Sequence, residues 1–409
     1  MKRLAGIAAL VMTVAACGDK QQKSDKSLGL DAMVDSIMPR LTVVAGLDQR
    51  GPVKVRTQGK DSLRVYLERR MASELPAEEL EAIRQVYVAL GLLPGDLDLQ
   101  RMLMDLYTEQ VVGYYDPEQK TLFVVENAKT EEVYPVLVHE LVHAIQDQHV
   151  NLDSLISDDR GNDRQTAAQA AIEGHATLVM FSLLAEQASG SPVDPRSLPD
   201  IGVQIRQGME ADNSQLPVFR SAPQILKETL LFPYAAGASF VHKLWLRPLT
   251  TGFGTPYPAP LADDLPHSTE QVLHPDSRFL VEKDEPTELS LEGDTTAVVY
   301  ENTLGELETR IFLEHHLGDG SAASGWDGDR FRLLNVPGGR VLVWYSIWDD
   351  VRAADRFAMA YRQIAGRRAN RAIRVERIDI NGRPGVRVLD ADRQADSGAV
   401  PLLTPRVAG

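Results

Sequence analysis

The chain has 409 residues, of which 44% are hydrophobic and 25% charged. That is the composition of a soluble globular protein, with enough length for two or three domains that bury real cores. A formal charge of −15 excludes nucleic acid as the main partner, because phosphate contacts need clustered Lys and Arg, and a single cysteine excludes an intrachain disulfide.

The N-terminus has the pattern of an export signal. Lys2 and Arg3 precede an apolar run from Leu4 to Ala16, long enough for a signal core and too short to span a bilayer. The run ends in Val14-Ala15-Ala16-Cys17, which resembles a bacterial lipobox. The resemblance implies that residues 1–16 are a lipoprotein signal peptide and that Cys17 is lipidated, making a membrane one partner of the chain. Residues 17–28 are polar, small and charged, as a flexible tether would be. Gly18 stands where lipoproteins kept in the inner membrane commonly carry Asp. The expected place is therefore the cell envelope, at the outer membrane facing the periplasm or at the cell surface. No later segment reads as a membrane span.

Helical patterns are expected at 30–46, from Asp61 (as N-cap) to about Met71, from Pro76 to about Gly91, and from Asp98 to Leu106. Val53 to Thr57 alternates like a short strand. Two β-rich runs within 109–125 flank Asp116-Pro117-Glu118-Gln119, which predicts a hairpin. A further helix should begin between Thr130 and Pro135, with Glu131 and Glu132 suiting its positive end. Residues 163–188 form a long Ala-rich helical pattern, 192–198 a loop, and 222–246 one or two helices. Thr250 to Pro266 is rich in Pro, Gly and Thr and lacks apolar periodicity. Beyond Pro286 come strand patterns at 297–300, 331–334, 340–347, 373–380 and 385–389, with a helix at 351–364. The expected organisation is thus α+β: a mostly helical domain with a small sheet over 29–250, a linker over 251–285, and a smaller α+β module over 286–409. Trp326, Trp344, Tyr345 and Trp348 of that module could line a carbohydrate or peptide surface, but aromatics at strand spacing usually pack inside.

The chemistry concentrates in His139-Glu140-Leu141-Val142-His143. Residues four apart lie on one helix face, so His139 and His143 can point at one cation. Glu140 is rotated about 100° from His139, which makes it a poor third ligand and a reachable general base for a water at the metal. A structural zinc site would have no use for that carboxylate and would close with four protein ligands, often Cys. His149 follows at the spacing of a third histidine ligand, but the position where a turn would need Gly is Gln146. If the helix continues, His149 lies roughly 120° off the metal-facing side and marks the helix end instead. The competitor is Glu173, in the small-residue stretch Ala170 to Thr177 of a second helix, where a buried carboxylate is costly unless paired or bound to metal. Ala170, Gly174 and Ala176 would let the two helices approach closely.

His139 to His149 followed by Ala170-Ala171-Ile172-Glu173-Gly174-His175-Ala176-Thr177 resembles bacterial gluzincin-type zinc metallopeptidases of the thermolysin-like superfamily. The stretches TEQVVGYYDP, FPYAAGASFV and STEQVLHP add to the likeness, which spans roughly residues 30–280. It implies a zincin-like fold, Zn2+ held by His139, His143 and Glu173, and Glu140 as base in peptide hydrolysis in the cell envelope. Asp147, four residues after His143, and Thr177 could each orient a ligand imidazole. Tyr234 is the candidate for stabilising the oxyanion, with His267 and His274 as rivals. His175, two residues from Glu173, should face away. Gly113 and Tyr114 lie on a hairpin strand expected to pair with an extended peptide substrate. Two other readings stay open: an envelope lipoprotein that keeps the scaffold for binding, and a zinc amidase acting on cell-wall peptides.

Overall fold

A computed structural model describes residues 29–126, 130–155, 161–211, 216–247 and 257–407. The export signal, Cys17 and the tether lie outside these residues, as does the first part of the Pro- and Gly-rich stretch. The fold is α+β.

Four helices come first: α1 (Leu30–Ala45), α2 (Lys60–Glu74), α3 (Ala77–Leu90) and α4 (Leu99–Gln110), with strand β1 (Lys54–Gln58) between the first two. Their ends follow local chemistry. α3 starts after Pro76 and stops at Gly91, whose left-handed φ of 75° terminates the hydrogen-bond ladder. Asp98 caps α4 by accepting from the Arg101 amide at 3.0 Å. In α2 the expected cap is displaced: Gly59 holds that position and Asp61 lies within the first turn, where its charge still suits the helix dipole.

The hairpin forms as expected, from β2 (Gly113–Asp116) and β3 (Thr121–Val125). The sheet order is β1-β3-β2, with β1 parallel and β2 antiparallel to β3, so β2 is an edge strand. Over it lies α5 (Thr130–His149), which carries the histidine motif. Gly113 permits that approach, because a Cβ there would sit 2.6 Å from Cγ1 of Val136 on α5.

After a single turn, α6 (Leu152–Leu155), the Ala-rich pattern becomes α7 (Asn162–Ser189). Among the described residues it is the one helix long and apolar enough to cross a membrane, but 89% of its apolar window is buried inside the fold, so it is a core helix. α8 (Ile201–Ala211) and α9 (Pro217–Ser221) lead to α10 (Gln224–Trp245), one helix that runs through Pro233. Of the small residues of α7, Ala170 and Gly174 meet α10. A Cβ on Gly174 would collide with the Gly237 backbone, and one on Gly237 with the Ala170 carbonyl. Gly237→Ala is therefore expected to cost about 1–3 kcal/mol or more, through overpacking that no rotamer can relieve. Denaturant titration beside Gly208→Ala, at a glycine with no atom within 4 Å of the added methyl, checks this. Equal stability of the two variants would refute the close crossing.

The remaining chain forms α11 (Thr269–Leu273), α12 (Pro275–Arg278), β4 (Leu289–Glu292), β5 (Val298–Asn302), α13 (Gly305–Leu317), β6 (Trp326–Val336), β7 (Gly339–Trp348), α14 (Val351–Arg367), β8 (Arg371–Ile380), β9 (Arg383–Asp392) and β10 (Thr404–Val407). A five-stranded antiparallel sheet has the order β5-β6-β7-β9-β8, and β4 pairs with β10. Trp326, Trp344, Tyr345 and Trp348 are all buried, as core residues. Both tryptophans Trp326 and Trp344 donate their indole N–H to Asp329, at 3.1 and 2.8 Å.

This second sheet does not stand apart from the helices. One cluster of buried apolar side chains runs from Leu41 through Leu141, Val179 and Phe240 to Phe312, Trp344 and Tyr361. The stretch expected as a linker contributes Tyr257, Val272 and Phe279 to it. Polar groups join the same faces: Tyr87 and Asn162 both donate to Glu308, at 2.9 and 2.8 Å, and His316 donates to the Leu90 carbonyl at 2.8 Å.

Candidate metal centre

α5 points His139 and His143 the same way because they are one turn apart. α7 crosses beside it and brings Glu173 to the same point. The Nε2 atoms of the two histidines lie 3.0 Å apart, and Glu173 Oε2 lies 3.1 Å from His139 Nε2 and 3.3 Å from His143 Nε2. These three residues form a group able to hold a metal ion. Ligands of a tetrahedral zinc, with bonds of about 2.0–2.1 Å, sit about 3.3–3.4 Å from one another, so the triangle needs little adjustment to close on such a cation. His139, His143 and Glu173 are 1%, 8% and 6% exposed, so the donors have little access to bulk water.

The charges describe what a cation would relieve. Burial pushes the Glu173 carboxyl up, but the charge of His143 and the hydrogen bonds from both rings outweigh it and hold the group at about 2. Burial pulls His143 down, and Glu173 overrides this to hold it at about 9. Burial dominates at His139 and lowers it. Metal binding replaces such protons, because imidazole ligands bind unprotonated.

Glu140 is 1% exposed and stands outside the triangle. Its Oε2 accepts from the Tyr115 amide at 2.7 Å, while Oε1 is buried with no hydrogen-bond partner among the described residues. Burial is the main cause that lifts its carboxyl to about 8, with Glu173 adding to the rise and His143 and the Tyr115 amide opposing it. A buried carboxylate oxygen without a partner is costly, and marks a place where a proton donor fits.

The other expected residues divide. Asp147 does not orient a ligand imidazole: it accepts from Tyr115 Oη at 2.8 Å and Lys120 Nζ at 2.5 Å, tying the hairpin to α5. Thr177 is buried and its hydroxyl has no partner among the described residues, so it holds no imidazole either. Tyr234 is brought to the site, its ring 6.1 Å from that of His139. The rivals His267 and His274 are committed to Glu285 and Glu306, at 2.6 and 2.8 Å. Tyr114 is a core residue, stacked on Tyr66 at 4.0 Å and on Phe123 at 5.2 Å, so its side chain is not presented to a substrate. Gly113 serves the packing of β2 on α5, though its backbone remains on the outer side of the edge strand. His149 is the last residue of α5 and donates to the Asp48 carbonyl at 2.8 Å.

One partner of the site is missed by the motif reading. Gln146, fully buried, places its Oε1 2.9 Å from His143 Nδ1. Its position three residues after His143 puts it on the same helix face, which is the signal that could have found it.

A family model described as a domain of unknown function (DUF8575) matches residues 294–400. That stretch covers the five-stranded sheet with α13 and α14, and none of the residues of the metal centre. No curated protein and no solved structure matches the chain.

Proposed function

We propose that the protein is a zinc metallopeptidase of gluzincin type, with a zincin-like arrangement of β2, α5 and α7, that hydrolyses peptide bonds in the cell envelope. The observation that carries the reading is Glu140: a buried carboxylate next to three metal donors, yet not one of them, with Oε1 unpartnered. Two imidazoles and one carboxylate, with a fourth position left open, are the donor set of a catalytic zinc site. Zinc held by His139, His143 and Glu173 would supply a Lewis acid that polarises the peptide carbonyl and lowers the pKa of water.

The rest of the reaction falls to the chain's own groups. The Tyr115 amide holds one oxygen of Glu140 and leaves Oε1 to take a proton from the attacking water. The same oxygen then returns the proton to the departing amine as the C–N bond breaks. Tyr234, whose ring lies 6.1 Å from that of His139, would stabilise the negative charge that develops on the carbonyl oxygen. The outer edge of β2 suits an extended peptide. In the antiparallel register the polar groups of Gly113 and Tyr115 point away from β3; the Tyr115 N–H is taken by Glu140, which leaves the Gly113 N–H and C=O and the Tyr115 C=O for an added strand to pair with.

The test uses full-length protein extracted in detergent. Bound metal is measured by plasma mass spectrometry, and a broad peptide library is assayed with the wild type. Stoichiometric zinc and cleavage that a chelator abolishes are expected; a protein that holds no zinc overturns the reading.

The lipid anchor belongs to the same proposal. Cys17→Ser is expected to move the protein from the membrane fraction to the soluble fraction and to remove labelling by a radioactive fatty acid. Unchanged membrane partition of the variant would rule out Cys17 as the anchor.

A further inference from the structure

Gln146 and His175 link the metal centre to the end of α1. His175 stands on α7 two residues past Glu173 and is fully buried, with its ring edge-on to Trp245. Its Nε2 lies 3.0 Å from the carbonyl of Ala45, the last residue of α1. A helix leaves its last carbonyls without intrahelical donors, so this ring fills a need of α1. A carbonyl only accepts, which puts the His175 proton on Nε2 and leaves Nδ1 as an acceptor.

Gln146 Nε2 lies 3.0 Å from that Nδ1 and 3.2 Å from the Ile172 carbonyl. The Ile172 carbonyl settles which end of the amide is which, because only the NH2 end can donate to it. Its two N–H groups are then both used, on Ile172 and His175. Oε1 is left facing His143 Nδ1 at 2.9 Å, and must accept from it. Nδ1 of His143 is thereby the nitrogen that keeps its proton, and Nε2, which faces His139 and Glu173, is the one left to give up its proton to a metal.

We infer that Gln146 and His175 are positioning residues: a one-directional chain of hydrogen bonds from the Ala45 carbonyl through His175 and Gln146 sets the Nε2-ligating tautomer and the ring orientation of His143. This rests on the reading of His139, His143 and Glu173 as a metal centre. Gln146 and His175 are both 0% exposed, so water cannot replace a lost link. Each link has a polarity that only one arrangement satisfies. Removing the His175 acceptor leaves the Ile172 carbonyl, at 3.2 Å, as the one remaining partner of the Gln146 NH2, so turning the amide over costs one hydrogen bond instead of two and would set its NH2 against the Nδ1–H of His143.

The experiment uses full-length protein in detergent with 15N-labelled histidine, first stripped of metal and then titrated with Zn2+ against a chromophoric chelator. His175→Leu removes the chain; His175→Asn is the conservative variant, since Asn can set an acceptor oxygen near the place of Nδ1. In metal-free wild type and in His175→Asn, at a pH high enough for His143 to be neutral, the ring is expected as the Nδ1–H tautomer. In His175→Leu a mixture of tautomers is expected, with zinc affinity lower by about 10–100-fold, the range for losing a partner of a ligand imidazole. If His175→Leu does not fold, Gln146→Met cuts the same chain from the other side at similar volume, with the same expectation. Wild-type tautomer and wild-type affinity in either folded variant would overturn the inference. If the wild type itself takes up no zinc, the metallopeptidase reading fails, while the metal-free tautomer measurement still decides the hydrogen-bond chain.

Discussion

Glu140→Gln is expected to lower kcat for peptide hydrolysis by about 10²–10⁴-fold, the usual contribution of a positioned acid–base group. The substitution is nearly isosteric, and the Tyr115 amide can still donate to the remaining side-chain oxygen that now faces it. Shape, burial and the three donor residues are therefore kept. What is lost is basicity: an amide cannot take a proton from water or return it to an amine. Bound zinc should stay stoichiometric and KM should change little, because the missing interaction belongs to the transition state. Single-turnover cleavage of a library-derived peptide, with metal content measured on the same samples, checks both halves. Retained kcat would remove Glu140 from the mechanism, and loss of zinc together with rate would move it into the ligand set.

Glu173→Ala should lose most of its zinc, and His149→Ala should keep it. Structural zinc sites gather about 10–16 kcal/mol from four ligands, so one donor accounts for roughly 2.5–4 kcal/mol, on the order of 10²–10³-fold in affinity. Glu173 brings Oε2 within 3.3 Å of both ring nitrogens, from a helix separate from theirs. Its removal would also leave two imidazoles facing one another with no anion to balance a cation. His149 is occupied with Asp48 at the end of α5, and contributes only that bond. Competition with a chelator, at fixed pH, measures the two affinities side by side. The reverse pattern would make His149 the third ligand and require α5 to unwind before its last turn.

Parts of this molecule that depend on neighbours in sequence were legible from the sequence. The pair His139 and His143 is one helical turn apart, and helix geometry alone aligns them. The end of α3 at Gly91, the cap of α4 at Asp98 and the hairpin turn after Asp116 are likewise written in local residue types. The absence of Gly near Gln146 was enough to keep α5 continuous to His149. α13 was invisible for the opposite reason. Glu306, Glu308 and Thr309 are buried in it beside Leu307, Ile311, Phe312 and Leu313, so polar residues interrupt the apolar period of its inward face. Their acceptability depends on partners such as Tyr87, which lies 221 positions away from Glu308 in sequence.

The same division holds at the candidate site. Sequence determined the motif helix, which of its groups share a face, and that Glu140 stands off that face. Tertiary structure decided who meets whom across helices. It directed Asp147 to Tyr115 and Lys120 instead of to a ligand ring, turned Gly174 toward α10 instead of α5, and recruited Gln146 and His175 behind His143. Hydrogen-bond partners on separate helices depend on crossing angles and on a few ångströms of approach. Those are set by whole packed faces, here by glycines that let α7 and α10 touch, and no local pattern records them.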